Sequence, residues 1–342
     1  MPTIGDVARE AKVSKATVSR VLNGIQVRHE THRRVLEAIE KLKYRPNAQA
    51  RGLPLGRTYV IGMIVPEINR DFYSAIVAGV MEILDPLNYS MILYETGNRK
   101  GKEVEYANLL RERRVDGLIV VTPREVDGRF VTDLVVNDHF PVVLVDGFVK
   151  NAPVSSVMVD NFRGAKAVTQ HFLELGHRRI GFIMGLSETR ESHDRFEGYR
   201  RALEKFHVEF NPAYVWHGDY SRESGKAAAG QILALPQSKR PTAIFVANDS
   251  MAVGVVEALE EADIKIPSQM ALAGYDDVEL AITVRPRLTT VRQPLRDMGR
   301  FGARKLINLI NGEEPEATRI VLPLELVVRE SSGGTAGTYH IA

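Results

Sequence analysis

The 342-residue chain contains no cysteine. That excludes disulfides, thiolate metal ligands and thiol nucleophiles, and it leaves no mark of an oxidising compartment. Long apolar runs are missing too: no uninterrupted stretch approaches the ~18 residues a membrane helix needs. The start, MPTIGDVAREAKV, lacks the apolar core of a secretory signal. These absences lead to the expectation of a cytoplasmic protein with no membrane partner. Motifs for chemistry are equally thin. No HExxH occurs among the nine histidines, and no GxGxxG follows an apolar run. GDYSRESGK is not a phosphate loop, because six residues rather than four separate Gly218 from Gly225 and Lys226 is followed by Ala. Asp160, Asp276 and Asp277 offer carboxylates, yet no spacing sets two of them across a bond. Neither an enzyme, nor a cofactor, nor a metal is expected.

Charge is present but unevenly spread. Residues 1–58 hold 12 Lys and Arg against 5 Asp and Glu, a net +7, while the remainder is net −5. A small cationic head on a larger acidic body points to a nucleic-acid partner for the head. With 44% hydrophobic residues, the chain is long enough for two or three domains. Within the head, Thr3 is placed to cap a first helix whose inward face is Ile4, Val7, Ala8 and Ala11. Ser14 opens a second, with Thr17, Val18, Val21 and Leu22 facing inward and Asn23-Gly24 as its stop. A third runs from about Glu30 to Lys43 and packs Val35, Leu36, Ile39 and Leu42. Short helices with a tight turn between the first two are the helix-turn-helix plan. Lys15, Ala16, Ser19 and Arg20 then project outward for the major groove. Arg20 suits guanine O6/N7, Lys15 guanine or phosphate, Ala16 a thymine methyl, and the hydroxyls of Ser14, Thr17 and Ser19 phosphate oxygens. Asn23, where the second helix ends, completes this set of candidates.

The run VAREAKVSKATVSRVLN, followed by YRPNAQARGL, resembles the lactose-repressor (LacI/GalR-type) family of bacterial transcription regulators, and the resemblance extends to about residue 330. Gly5 departs from it, standing where the family often has a tyrosine. The resemblance implies a linker (46–58) that forms a hinge helix when two subunits sit on DNA, with Leu53 wedging into the minor groove. Apolar wedges unstack a base step at a cost of a few kcal/mol, repaid by wider contact. Arg51 is placed to reach phosphate, Gly52 lowers helicity by about 1 kcal/mol relative to Ala, and Pro54 stands where the helix must stop.

From Tyr59 onward, apolar β-branched runs alternate with helical segments: 59–65, 89–94, 117–121 and 141–145, then 155–159, 179–184, 243–246 and 270–275. Such alternation means buried parallel sheets. The fold class expected is therefore an N-terminal all-α helix-turn-helix head (1–45) and an α/β body (59–330) of two parallel-sheet subdomains, resembling periplasmic sugar-binding proteins. The resemblance implies that a last helix, about Leu295–Asn311, rejoins the first subdomain. The first subdomain is then about 59–160 plus 292–320, and the second about 161–291 plus 321–330. The Gly/Ser/Thr-rich tail 331–342 is expected to be disordered.

Small ligands bind beyond the carboxyl ends of such strands. Effector candidates are therefore Asn69, Phe72, Tyr73, Asp146, Asp160, Arg195, Tyr220, Asn248, Asp249 and Asp276. Carboxylates and an arginine beside aromatic rings suit the hydroxyls and apolar face of a sugar. The function expected is a homodimeric, sequence-specific DNA-binding regulator, a repressor, which holds double-stranded operator DNA under control of a small carbohydrate-like effector. The stretch PEINRDFYSAI also resembles catabolite-control regulators, whose partner is a phosphorylated carrier protein. The charged runs 98–102 and 111–114 would serve such a partner.

Overall fold

Capping side chains sit where the head's first two helices begin. The structure, a computed structural model, describes residues 2–22, 25–44, 57–97, 99, 101–121, 131–149, 152–313 and 316–341. At the start of α1 (Ile4–Glu10), the Asp6 N–H donates to Thr3 Oγ1 at 3.3 Å and the Thr3 N–H donates to Asp6 Oδ2 at 2.8 Å. This reciprocal cap satisfies two otherwise orphaned donors. Ser14 Oγ accepts from the Thr17 N–H at 3.1 Å at the start of α2 (Lys15–Leu22). α3 (His29–Leu42) ends on Lys43 in the left-handed region, φ 48°. Val7, Ala8, Ala11, Val18, Val21, Val35, Ala38 and Tyr44 form the core of the head. Leu36 was expected there but is 48% exposed. The inward arc of α3 follows the i, i+3, i+4, i+7 series from Val35 through Ala38, Ile39 and Leu42, and position 36 falls about 100° off it.

In the body, β1 (Val60–Val65), α4 (Asp71–Leu84), β2 (Ser90–Glu95), α5 (Lys102–Arg111), β3 (Gly117–Val121), β4 (Val142–Val145) and β5 (Ser155–Val159) build most of the first sheet. The chain then passes through α6 (Asn161–Glu174), β6 (Ile180–Met184), α7 (Arg190–Lys205), β7 (Val215–His217), α8 (Arg222–Ala234), β8 (Ala243–Val246), α9 (Asp249–Glu261) and β9 (Ala271–Ala273). After α10 (Leu280–Thr283) come β10 (Thr290–Arg292), α11 (Leu295–Asn311), β11 (Arg319–Leu322), β12 (Leu324–Val328) and β13 (Gly337–Ile341).

The first sheet has the order β11-β5-β4-β3-β1-β2 and the second β7-β6-β8-β9, with every pairing parallel. β3, β4, β6 and β8 are buried along their whole length, as helices on both faces require. Strand order reverses between β1 and β3 and again between β6 and β8, and such switch points open crevices at the carboxyl ends of strands. α11 returns to pack on α4, and two glycines set how close they come. A Cβ on Gly79 would lie 2.0 Å from the Arg296 carbonyl oxygen, and one on Gly299 would lie 2.1 Å from that of Ile76. A side chain at either point would force the helices apart.

Two expectations need correction. β11 keeps the chain on the first sheet through Leu322, two residues past the expected boundary at 320. The tail is not disordered: β13 pairs antiparallel with β12 from Leu324↔Ile341 to Val328↔Gly337, in a small sheet of order β10-β12-β13. Ser331 and Ser332, at the start of that tail, are buried. Ser331 Oγ donates to the Leu272 carbonyl at 2.6 Å and accepts from the Thr289 N–H at 2.8 Å. Composition alone hid the β-forming run Thr338–Ile341. Among the described residues, no helix is long and apolar enough to cross a membrane.

Candidate functional site

On the head, α2 presents Lys15, Ala16 and Arg20 to solvent, while Thr17 and Ser19 are half-buried and Val18 and Val21 fill the core behind them. Ser14 is exposed, but its hydroxyl is already committed to the cap and to the Thr17 hydroxyl at 2.9 Å. Gly5 lies beneath the Lys15 stem, where an added Cβ would come within 3.1 Å of Lys15 Cε. The departure at position 5 thus leaves room for the lysine to cross α1. Asn23, Arg51 and Leu53 lie outside the described residues.

In the body, a cleft of about 350 Å3 opens at the carboxyl ends of the strands. Seven of the expected residues line it: Phe72, Tyr73, Asp146, Arg195, Tyr220, Asn248 and Asp276. Three do not. Asn69 is exposed in the loop after β1. Asp160 caps α6, accepting from the Arg163 N–H at 2.9 Å. Asp249 is wholly buried, accepting from Thr290 Oγ1 at 2.8 Å and from the Val278 N–H at 3.1 Å, so it ties α9 to the crossing segments. Asp160 and Asp249 take the role an Asp after a strand commonly has, satisfying backbone donors. Asn248 does both, lining the cleft while its Oδ1 accepts from the Met251 N–H at 2.9 Å.

Sequence reasoning missed Arg70 and Glu191, which also line the cleft. Glu191 stands one turn before Arg195 on α7, so the i, i+4 spacing was the available signal. α7 begins at Arg190, and its polar run ESHDR buries Glu191, Ser192 and Arg195, with Glu191 and Arg195 lining the cleft.

Arg195 is 3% exposed and holds the cleft together. Its Nε donates to Asn161 Oδ1 at 2.9 Å and its Nη1 to the Ala247 carbonyl at 2.5 Å. Nη2 stands 3.9 Å from Asp276 Oδ1, and the guanidinium lies 3.9 Å from the centre of the Tyr275 ring. Asp276 Oδ1 also accepts from Gln293 Nε2 at 2.7 Å. Three lining residues hold positive φ: Asp146 at 61°, Tyr220 at 70° and Asp276 at 112°. Such backbone costs on the order of 1–3 kcal/mol each and gathers at sites that must present side chains into a cavity.

Burial raises the carboxyl groups of the cleft. Asp146 is pushed well above the usual carboxylate range by burial and by Glu191, with Arg195 opposing. Glu191 rises to about 7 through burial, against the pull of Arg195 and of hydrogen bonds from Thr189 and Tyr220. Asp276 rises to about 6 through burial, with Arg195 and Gln293 opposing. For Arg195, burial disfavours the charge, but Tyr220, Asp276 and their neighbours outweigh it and the cation is held firmly. The site is therefore a dry, charged, ring-walled cavity suited to a small polar ligand.

The charged run 111–114 has partners: Arg111 is paired with Asp138 at 2.9 Å and Arg114 with Glu112 at 2.8 Å. Similarity to known proteins covers head and body alike. A model of the bacterial regulatory proteins of the lacI family matches residues 3–47, and one of a periplasmic binding protein-like domain matches residues 169–332. The chain is 36% identical over 332 residues to catabolite control protein A of Priestia megaterium, covering 96% of this chain and 99% of that protein. Among solved structures, the lac repressor dimer bound to operator and the anti-inducer ONPF superposes with a TM-score of 0.86 at 29% identity, covering 97% of this chain and 99% of that one. A complex of the transcriptional regulator CelR with cellobiose matches at TM-score 0.72 and 34% identity, covering 97% and 100%.

Proposed function

Since the chain belongs to the lacI family of bacterial regulatory proteins, and is thus a transcriptional regulator, we propose that it acts in the cytoplasm as a homodimeric repressor whose grip on operator DNA is set by a small sugar-like effector in the body cleft. The observation that carries this reading is the cleft itself, with Arg195 and Asp276 buried together where the two parallel sheets end. The CelR and lac repressor structures, which hold cellobiose and ONPF, support a carbohydrate-like class.

At the DNA end, the exposed Lys15–Ala16–Arg20 face of α2 enters the major groove, with Ser14, Thr17 and Ser19 toward the backbone. Asn23, Arg51 and the wedge Leu53 add contacts at the edge and in the minor groove. Two heads related by a two-fold axis read a pseudo-palindrome. Effector binding draws the cleft walls together and changes how the paired heads are held, with no catalytic step. A complete switch from 1:99 to 99:1 needs about 5.5 kcal/mol of differential affinity, so partial modulation requires much less. Mobility shift with genomic fragments tests the reading. A sequence-preferring complex that weakens steeply with salt is expected from the +7 head. A folded dimer that gives no such shift overturns it.

A further inference from the structure

Charges in the cleft do not balance. Arg195 is engaged by Asn161, Ala247 and Asp276. Arg70 is held by Glu67, with Nε 2.6 Å from Oε2 and Nη2 3.0 Å from Oε1, and it reaches the Asp219 carbonyl at 3.4 Å. With both cations committed, Asp146 and Glu191 have no ion-pair partner among the described residues. Glu191 is 5% exposed. Its Oε1 accepts from the Tyr220 hydroxyl at 3.0 Å, but its Oε2 is buried and no donor lies within 3.5 Å in hydrogen-bonding geometry. A buried carboxyl oxygen without a partner is costly to leave unmade, so its persistence at a ligand cavity calls for a polar partner from outside the fold.

The two unmatched carboxylates come from opposite walls. Asp146 follows β4 of the first sheet, and Glu191 stands in the first turn of α7 against the second. We propose that Glu191 is the specificity-determining residue of the cleft and that, with Asp146, it selects an effector bearing a protonated amine, an amino sugar or similar amino-polyol. This rests on the effector-cleft reading above and narrows it. An ammonium brings three donors and the missing positive charge to a point between the walls. A phosphorylated or acidic sugar would add an anion to three carboxylates whose arginines are occupied. A neutral sugar supplies a donor to Oε2 but brings no cation that would let Asp146 and Glu191 ionise together. Phe72 and Tyr73 line the same cleft, their rings packed edge to face with centroids 5.1 Å apart.

Glu191 shares the cleft with Asp146, Asp276, Arg195, Arg70, Tyr73 and Tyr220, and burial raises it to about 7 against the pull of Arg195, Thr189 and Tyr220, so it is largely protonated below neutrality. An ammonium must displace that proton. Amine affinity therefore rises with pH from about 6 toward neutrality, while a neutral sugar's affinity does not.

The test uses the full chain with D-glucosamine, D-galactosamine and D-mannosamine, each set against its parent sugar and its N-acetyl form, read by thermal unfolding and calorimetry. At least one amine is expected to bind about tenfold or more tightly than its neutral counterparts, as a charge-assisted buried contact implies. Glu191→Gln should remove that preference, lowering amine affinity about tenfold more than neutral-sugar affinity, and Asp146→Asn should reduce it independently. A merely structural Glu191 would shift both ligand classes together. Equal or tighter binding of the neutral sugars overturns the proposal, as does silence from all three amines. If a neutral sugar binds and alters operator affinity, the amine assignment falls and the regulator stands. Loss of operator binding altogether is what would remove the regulator reading.

Discussion

Replacing Arg195 with lysine tests the physical account of the cleft at its most connected point. The guanidinium reaches two acceptors in different elements, Asn161 Oδ1 at 2.9 Å and the Ala247 carbonyl at 2.5 Å, while stacked on Tyr275. A lysine ammonium keeps the charge but is a point donor on a flexible stem and cannot span both. Losing one charged hydrogen bond costs about 1.5–3 kcal/mol, and leaving the buried partner unsatisfied adds about 1–3 more. The expected loss is therefore roughly 3–5 kcal/mol, or about 6–20 °C in the unfolding midpoint for a unit of this size. Distances also decide how the cost divides. The approach to Asp276 is loose, 3.9 Å, so most of the loss should survive in an Asp276→Asn background. A double-mutant cycle should then give a coupling below about 1 kcal/mol. Calorimetric or fluorescence-detected unfolding of the four chains measures this. If Arg195→Lys unfolds within a degree or two of the parent, the claim that this fork organises the cleft is refuted. A coupling that accounts for the whole loss would instead place the organising contact at Asp276.

Three further outcomes follow from the same coordinates. Glu191 and Asp276 titrate at about 7 and about 6, above their ordinary 4.5 and 3.8, so the folded state binds their protons more tightly than the unfolded one. Their contribution is full below the ordinary values and is lost as pH rises through the folded ones, by at most about 1.4 kcal/mol per unit per group. The midpoint of the ligand-free chain should thus fall from pH 5 to pH 8, and Glu191→Gln should flatten the decline; a midpoint that climbs over that window in both chains contradicts the sign. Gly79→Ala should lower the unfolding midpoint by an amount equivalent to about 1–3 kcal/mol, because its Cβ would meet the Arg296 carbonyl at 2.0 Å, whereas Gly230→Ala, with open space around it, should not. Arg20→Ala should cost about 1–3 kcal/mol of operator affinity and relax preference at one base pair, leaving non-specific binding and the fold intact; an unchanged sequence preference places the readout on another residue.

Much of this was legible in the residues because local and global signals agree. Thr3 and Ser14 cap where their side-chain chemistry says they should, and fully apolar runs such as Ile180–Met184 and Ala243–Val246 are buried parallel strands. α11 occupies the expected span, Leu295–Asn311. What was not legible depended on tertiary partners. Asp160 and Asp249 look alike in sequence to Asp146 and Asp276, since all four follow apolar strands; only the fold gives the first two backbone donors and leaves the others facing a cavity. Glu191 was hidden in a polar run that reads as loop, although its spacing from Arg195 was there to be used. The tail was misread because glycine and serine content outweighed the short strand Gly337–Ile341, whose pairing partner Leu324–Val328 supplies the order that composition cannot.

Occupancy of the cleft is expected to change the grip of the head on DNA. The most direct measurement is the operator dissociation constant of the full chain, followed by fluorescence anisotropy at fixed salt, with and without a saturating ligand that raises the unfolding midpoint. A shift of about fivefold or more, absent in Arg195→Lys, is predicted, since allosteric coupling is typically 1–3 kcal/mol. A ligand that fills the cleft of the parent chain and leaves operator affinity unchanged would contradict it.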